Sequence, residues 1–405
     1  MPDAVIVATA RSPIGRAYKG SLKEMRPDDL AVQILRAALA KVPQLDVSEI
    51  DDLILGSGSP TGESGYNLAR VVAVMAGLDG VPGTTVNRYC ASSVQTTRMA
   101  FHAIKAGEGE VFISAGVETI SRYSKGAADN LPDTKNAIFA AAEARTQEFT
   151  EGGHSWSDPR AMGLLPDVYI AMGQTAENVA QLKGVSREEQ DAFGVRSQNL
   201  AEKAVADGFW QRDITPVTLA DGTQVMKDDG PRAGVTIAGV AELKPVFRPD
   251  GTVTAGNCCP LNDGAAALVV MSDAKAKQLG LAPLARILST GVTALSPEIM
   301  GMGPVEASRQ ALSRAGLTIE DIDLVEMNEA FAAQVIPSAR ELGIREDKLN
   351  VNGGAIAVGH PYGMTGARMT TTLVNSLQWH DKQLGLETMC AAGGQGMAMV
   401  IERLS

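Results

Sequence analysis

Two cysteines, a histidine and an asparagine stand where local sequence favours chemistry over packing. Cys90 lies in TTVNRYCASSVQTTRMAFHAIKAG, after a strand-like Thr-Val-Asn and before a stretch free of Gly and Pro whose Val94, Phe101 and Ile104 share one helical face. This spacing predicts a thiol at a helix N-terminus. There the helix dipole and unpaired backbone N–H groups would lower the thiol pKa and make it a nucleophile; the competing reading is a buried structural cysteine. His360 lies in NGGAIAVGHPYGMTGAR, where five glycines crowd one turn and helix start. Glycine at that density lets backbone approach a ligand or another loop, and little side-chain packing is left to explain the imidazole. As a phosphate cradle the segment is weak, because it lacks the P-loop Lys and spacing. Cys390 closes a strand-like run and opens CAAGGQGM, a turn offering backbone N–H groups of the oxyanion-hole kind or simply a tight hairpin. Asn328 and Glu329 follow a strand directly in DLVEMNEAFAAQV, where an N-cap role competes with a functional one. A thiolate attacks a carbonyl carbon, an imidazole accepts the thiol proton, and a second thiol serves as acid and base, so this set suits acyl transfer.

The elements that must hold these groups are legible as alternating patterns. Short aliphatic runs at 5–7, 53–55, 111–114, 268–271, 324–326, 388–390 and 397–401 predict strands, and Ala-rich stretches such as 30–40 and 305–315 predict helices between them. The low aromatic share (4%) and 42 glycines fit a layered α/β protein built on small aliphatic side chains. Four loops then carry Cys, Asn, His and Cys at strand C-terminal ends, where α/β ligand sites gather.

Composition narrows the functional classes. The 405 residues suggest two or three domains at about 150 residues each. A net charge of −11 argues against broad nucleic-acid binding, so a phosphate-bearing ligand would need a local basic patch. No apolar run approaches the roughly 18 residues of a membrane span. The N-terminal MPDAVIVATARS lacks the charge and length of a signal peptide, which predicts a cytoplasmic protein with free cysteines. Cys258 and Cys259 are adjacent and no CxxC occurs, so no structural zinc site is expected.

An internal repeat is also visible. LRAALAKVPQLDVSEIDDLIL and RQALSRAGLTIEDIDLVEM both run from helix through an Asp-flanked turn into a strand, pairing Ile50-Asp51 with Ile322-Asp323. A Val-Asn step at Val86-Asn87 and at Val351-Asn352 is expected to end a strand in each half. Residues from about 121 to 250 break the pattern, and SREEQDAFGVRSQNLAEKAV within them opens with a capping box of Ser186 and Glu189. The expected organisation is 1–120 as an N-terminal half completed by about 251–272, 121–250 as an inserted loop or lid domain, and 273–405 as the C-terminal half.

The segments VNRYCASS, NEAF at 328–331, GGAIAVGHPYGMTGAR and CAAGGQG resemble, in order and spacing, the four signatures of the thiolase family. The resemblance spans nearly the whole chain. It implies a duplicated five-layered α/β/α/β/α fold with an inserted loop domain. It further implies that Cys90 forms an acyl-thioester, that His360 activates it, that Cys390 exchanges the proton at the substrate α-carbon, and that Asn328 holds a water forming an oxyanion hole with His360. The backbone N–H groups of Cys90 and residue 392 would form the second hole. No metal or permanently bound cofactor is implied; coenzyme A is a substrate. The resemblance is closest to the thiolase subunits of bacterial fatty-acid oxidation complexes, which implies a homo-dimer or tetramer and a hydratase/dehydrogenase partner subunit.

Four positions depart from the family pattern. Ala392 replaces a Gly, Ser93 stands where many members have Gly, and Cys259 occupies the place of a CoA-contacting Ser. Ala171 precedes Met172-Gly where biosynthetic members carry His, leaving more room near the acyl site expected at Met172. This favours a degradative 3-ketoacyl-CoA thiolase over an acetoacetyl-CoA condensing enzyme. Arg232, in DDGPRAG, matches a position near the nucleotide end of CoA and would supply local positive charge. Cys390 speaks against a ketoacyl synthase or hydroxymethylglutaryl-CoA synthase, and the full catalytic set against a silent scaffold subunit.

Overall fold

The computed structural model describes residues 1–125, 134–153 and 155–405. The strands are β1 (Ala4–Arg11), β2 (Gly15–Arg16), β3 (Asp52–Gly56), β4 (Gly83–Val86) and β5 (Val111–Thr119), then β6 (Val217–Thr218) and β7 (Gln224–Val225), then β8 (Asn262–Ser272), β9 (Ala285–Ala294), β10 (Leu324–Met327), β11 (Leu384–Ala391) and β12 (Gln395–Arg403), and the seven predicted aliphatic runs fall within β1, β3, β5, β8, β10, β11 and β12. β5, β8 and β1 are buried along their whole length, as strands covered on both faces must be.

The wiring is duplicated. The first half is ordered β4-β3-β5-β8-β1, and the second continues β9-β12-β11-β10; β2 adds to β8, and β6 pairs with β7 in a separate ribbon. β3 runs parallel to β4 and β5, while β8 is antiparallel to β5 and β1. Likewise β10 is parallel to β11, while β12 is antiparallel to β11 and β9. The two half-sheets are paired where Val5 and Ile6 of β1 meet Arg286 and Ala285 of β9. The repeated Asp has the same task in each half: Asp51 accepts the N–H groups of Glu110 and Val111 (2.7 and 2.8 Å), and Asp323 those of Gln383 and Leu384 (3.0 and 2.9 Å).

One predicted strand shrinks. The Val351-Asn352 step does not end a strand, because the chain makes only a single parallel bridge, Leu349 to Val325, where β4 has its counterpart. Asn350 takes a φ of +46°, and its side chain accepts from Met327 N–H and donates to Met327 O and to Glu329, which turns the chain away from the sheet. The unpredicted strands are the two-residue β2, β6 and β7 and the ten-residue β9, whose Arg, Ser, Thr and Gly interrupt any apolar run.

Three apolar cores stack five layers. Helices Pro27–Leu39 and Leu68–Met75 cover the outer face of the first half-sheet, with Leu35 and Val72 against Leu53 and Val269. Helices Ser92–Ala106 and Thr365–Trp379 fill the centre, where Ile104 and Leu373 meet residues of both half-sheets such as Ile54, Val270 and Met399. Helices Gly303–Ala315 and Ala332–Leu342 close the far side through Leu312 and Val335 on Val325 and Val400. A fully buried Leu such as Leu373 contributes about 1.5–3 kcal/mol. The α/β/α/β/α order thus follows from which faces are apolar.

Part of the glycine crowding near His360 has a packing cause. A Cβ on Gly366 would lie 2.4 Å from Val94 N, and one on Gly116 would lie 2.1 Å from Gly363 O, so the two central helices and β5 approach at backbone contact. Within 121–250 the structure shows helices Ala140–Thr150, Met172–Lys183, Arg187–Ala206, Phe209–Asp213 and Ile237–Ala241, while 126–133 and 154 lie outside the described residues. The capping box at Ser186 and Glu189 is formed. Buried Arg11 at the end of β1 pairs with Asp213 (2.6 Å) and Asp228 (2.5 Å) and sits 5.2 Å from the Trp210 ring, tying this segment to the first half. Among the described residues no helix is long and apolar enough to cross a membrane.

Candidate active site

Cys90 sits in a single 3-10 turn, Tyr89–Ala91, immediately before the helix Ser92–Ala106. Tyr89 adopts a φ of +47°, which aims the turn back toward the helix start. Ser92 holds it: its hydroxyl donates to Tyr89 O (2.6 Å) and accepts from Arg88 N–H (2.9 Å). Arg88 then reaches Gln95 (3.1 Å) and Gln395 (2.6 Å), and the Gln395 amide donates to Ala392 O (3.1 Å). This chain fastens the Cys90 turn to the CAAGGQG turn 300 residues later in sequence. Ser93 adds a tie, accepting from Ala367 N–H (2.9 Å) in the helix that follows His360.

Cys390 lies on β11 opposite Gly396 of β12, so the CAAGGQG segment is a tight hairpin as well as a source of N–H groups. Gly393 and Gly394 take the positive φ values the turn requires (+74° and +75°); Ala392 does not, which is why a side chain is accepted there. The Ala392 N–H points at the Cys90 sulfur. Cys390 packs beside Ala330, Phe331, Met172 and Cys259.

His360 is buried, and both ring nitrogens are engaged. Nε2 lies 3.2 Å from Asn328 Nδ2, and Nδ1 lies 2.6 Å from the Thr365 hydroxyl. Its backbone N–H donates to Asn262 (2.9 Å). Asn328 Oδ1 is buried with no hydrogen-bond partner among the described residues. The adjacent Glu329 is no N-cap. It accepts from Ser197 (2.6 Å), Asn350 (2.8 Å) and Ile356 N–H (3.1 Å), joining the helix Arg187–Ala206, the NEAF loop and the glycine-rich segment before His360. The other side of the NEAF loop pairs with the Cys259 segment through Cys259 N–H to Ala330 O (3.0 Å) and Ala332 N–H to Asn257 O (2.8 Å).

Electrostatics correct one expectation. Burial pushes the Cys90 thiol up to about 12, and the Glu118 carboxylate adds to this; the N–H groups of Ala392 and Cys90 itself oppose it without prevailing. The helix start therefore does not leave Cys90 as a resting thiolate. Burial also raises Cys390, with the neighbouring Cys90 contributing, and pulls His360 down to about 3, helped by Arg368. The resting site holds neutral thiols and a neutral imidazole whose unprotonated nitrogen is a base. Glu118, buried, accepts from Gly58 and Gly363 N–H (2.6 and 2.8 Å) and Tyr123 (3.0 Å). The sequence reading passed over Glu118, although an acidic residue closing the apolar strand VFISAGVET was a signal.

Two cavities carry five of the predicted positions; Cys390, His360 and Asn328 line neither. Cys90, Ala392 and Met172 line one of about 570 Å³, with Tyr89, Tyr123, Tyr169, Tyr362, Val168 and Ile170 among its walls. Cys259 and Arg232 line another of about 140 Å³, which Arg16 also borders; nothing in the sequence distinguished Arg16. Arg232 is set by its N–H donating to Gln198 (2.9 Å). Among the described residues no group of three His, Cys, Asp or Glu side chains is placed to hold a metal ion.

Comparison with known proteins gives one answer. The "Thiolase, N-terminal domain" family matches residues 4–274 and the "Thiolase, C-terminal domain" family residues 281–403. A 3-ketoacyl-CoA thiolase of Bacillus subtilis (strain 168) is 43% identical over 99% of this chain and 100% of its own. A 3-oxoadipyl-CoA/3-oxo-5,6-dehydrosuberyl-CoA thiolase of Escherichia coli (strain K12) is 42% identical over 100% of both. The crystal structure of the Bacillus anthracis acetyl-CoA acetyltransferase is 38% identical, with a TM-score of 0.86 over 100% of this chain and 99% of that one. With both halves matched, the fold duplicated and relatives above 40% identity along the full length, the chain belongs to the thiolase family.

Proposed function

We propose that this protein is an acetyl-CoA C-acyltransferase that cleaves 3-ketoacyl-CoA with free CoA in fatty-acid β-oxidation, with Cys90 as nucleophile. The observation that carries this reading is the junction of Cys90, the Ala392 N–H and Met172 on one cavity, with Cys390 packed in the same cluster as Met172 and with Tyr362, a wall of that cavity, in ring contact with His360 (centroids 5.2 Å). The Cys90 thiol gives its proton to His360 Nε2 as sulfur attacks the 3-keto carbon. The carbon–carbon bond breaks, the electron pair leaves as the acetyl-CoA enolate, and Cys390 supplies the proton to its α-carbon. Free CoA then gives its thiol proton to the Cys390 thiolate and attacks the acyl-thioester, and Cys90 leaves as thiolate and takes back the proton held by His360. Asn328, through a held water, and His360 stabilise the first oxyanion; the N–H groups of Cys90 and Ala392 stabilise the thioester oxyanion. CoA is a substrate, and the chemistry requires neither metal nor resident cofactor.

The 570 Å³ cavity is read as the acyl site and the Arg232, Arg16 and Cys259 cavity as part of the CoA path. Ala171 caps the helix Met172–Lys183 between Ile170 and Met172, which line the acyl cavity, and is read as leaving room that the His of biosynthetic members would take. A second reading, acetoacetyl-CoA chemistry, is favoured by the likeness to the Bacillus anthracis acetyl-CoA acetyltransferase. Thiolysis of 3-ketoacyl-CoAs from four to about sixteen carbons separates the two, since each buried CH₂ contributes up to about 0.8 kcal/mol. Activity rising with chain length supports the degradative enzyme, and activity on acetoacetyl-CoA alone supports the other. CoA binding without turnover would return the silent scaffold reading.

A homo-oligomer completes the picture. β4 ends the strand order and, among the described residues, pairs with β3 alone, which leaves an edge suited to a second copy. A hydratase/dehydrogenase subunit is the proposed further partner, and co-expression that yields only the homo-oligomer would count against it. The four free cysteines accord with a cytoplasmic setting.

A further inference from the structure

We propose that Thr365 is a positioning residue that fixes the His360 imidazole in its Nδ1–H form, leaving Nε2 as the basic nitrogen of the ring. The inference rests on the reading of His360 as the base.

The geometry is a directed chain. The Thr365 hydroxyl lies 2.6 Å from Pro361 O and 2.6 Å from His360 Nδ1, and all three groups are buried. A hydroxyl has one proton. A carbonyl oxygen only accepts, so that proton goes to Pro361 O, and the bond to Nδ1 then requires Nδ1 to carry its own hydrogen. In a neutral imidazole Nε2 is consequently the acceptor. The other side of the ring agrees, since Asn328 Nδ2 donates to Nε2 at 3.2 Å. That side alone does not decide the matter, because an amide can turn over and offer its oxygen. Thr365 has no such freedom while Pro361 O holds its proton.

The placement in the chain explains how the bond is built. Pro361 follows His360 directly, and Thr365 opens the helix Thr365–Trp379, so the hydroxyl reaches back over one turn to the carbonyl of Pro361. Gly366, where a Cβ would fall 2.4 Å from Val94 N, lets that helix start pack against the helix that follows Cys90. The imidazole plane is therefore referenced to the nucleophile helix through Thr365.

Without the hydroxyl, a buried Nδ1–H would lose its partner and the ring would be free to place its proton on Nε2. Two measurements test this. First, with histidine labelled in ¹⁵N, the full-length enzyme has four histidines to assign, and His360→Asn identifies one of them. The expected His360 signals are a protonated Nδ1 and an unprotonated Nε2; a protonated Nε2 overturns the proposal. Secondly, Thr365→Val is expected to lower kcat by about 10- to 100-fold, the scale of one lost buried hydrogen bond, with KM for the ketoacyl-CoA within twofold. Thr365→Ser restores it, and Thr365→Val adds nothing in the His360→Asn background. Undiminished kcat in Thr365→Val, or an equal further loss in the His360→Asn background, overturns the proposal. Full activity of His360→Asn would instead remove the underlying reading of the base, so the two failures are distinct. If Thr365→Val does not fold, the labelled wild-type enzyme still decides.

Discussion

Replacing Glu329 with Ala removes an acceptor on which three segments converge. The carboxylate receives the Ser197 hydroxyl, the Asn350 amide and the Ile356 N–H at 2.6, 2.8 and 3.1 Å, and it is buried. Each buried donor left unpaired costs about 1–3 kcal/mol. Water entering the space recovers part of this, so the expected loss is about 3–6 kcal/mol. The effect on turnover follows from the neighbouring residue. Asn328 faces His360 at 3.2 Å, and a shift of about 1 Å in such a group costs up to about 100-fold in rate. Glu329→Gln keeps one oxygen for Ser197 and Ile356 but turns an NH₂ toward the Asn350 amide, so it should lie between wild type and Ala. Denaturant unfolding of the three proteins, with kcat for thiolysis measured alongside, checks both parts. A stability loss under about 1 kcal/mol in Glu329→Ala, with kcat unchanged, would refute the view that Glu329 holds the NEAF loop.

Other predictions draw on the same network. Arg88→Met, which cuts the tie from the Cys90 turn to Gln395, should lower kcat more than KM while Tm moves little, since Arg88 is only partly buried. Gly366→Ala would press a methyl onto Val94 N and should destabilise by about 1–3 kcal/mol or more, read by thermal unfolding. Burial raises Glu387 to about 8, so the folded protein binds this proton more tightly than the unfolded chain between the ordinary value of 4.5 and about 8. Stability relative to Glu387→Gln should therefore fall as pH rises through that window, by at most about 1.4 kcal/mol per pH unit, and level off above it. With the Cys90 thiol held at about 12, iodoacetamide labelling of Cys90 in the ligand-free enzyme should keep rising to pH 10 without a plateau; a plateau near pH 7 would contradict that account.

Much of this architecture was readable before any coordinates, because the repeat is enforced by the same local physics twice. Ile50-Asp51 and Ile322-Asp323 mark the same turn because a carboxylate there accepts two N–H groups of the neighbouring strand. The loops carrying Cys90, His360 and Cys390 stood out because their glycines and strand flanks are local signals. β9 was not legible, since its partners β1 and β12 make a strand of a sequence whose own pattern is mixed. The thiol pKa was misjudged for a related reason: the helix start is visible in sequence, whereas burial beside Glu118 is a tertiary property. Arg88, Gln395 and Thr365 were invisible because their roles are hydrogen bonds to partners fixed by the fold.

The central claim is that Cys90 carries the acyl group. Mixing the enzyme with a 3-ketoacyl-CoA in the absence of free CoA, quenching in acid and mapping the peptides by mass spectrometry tests it directly. The account predicts one chain-shortened acyl group on the peptide containing Cys90 and none when Cys90 is replaced by Ala. Acyl transfer to Cys390 or Cys259, or persistence of the adduct in Cys90→Ala, would contradict it.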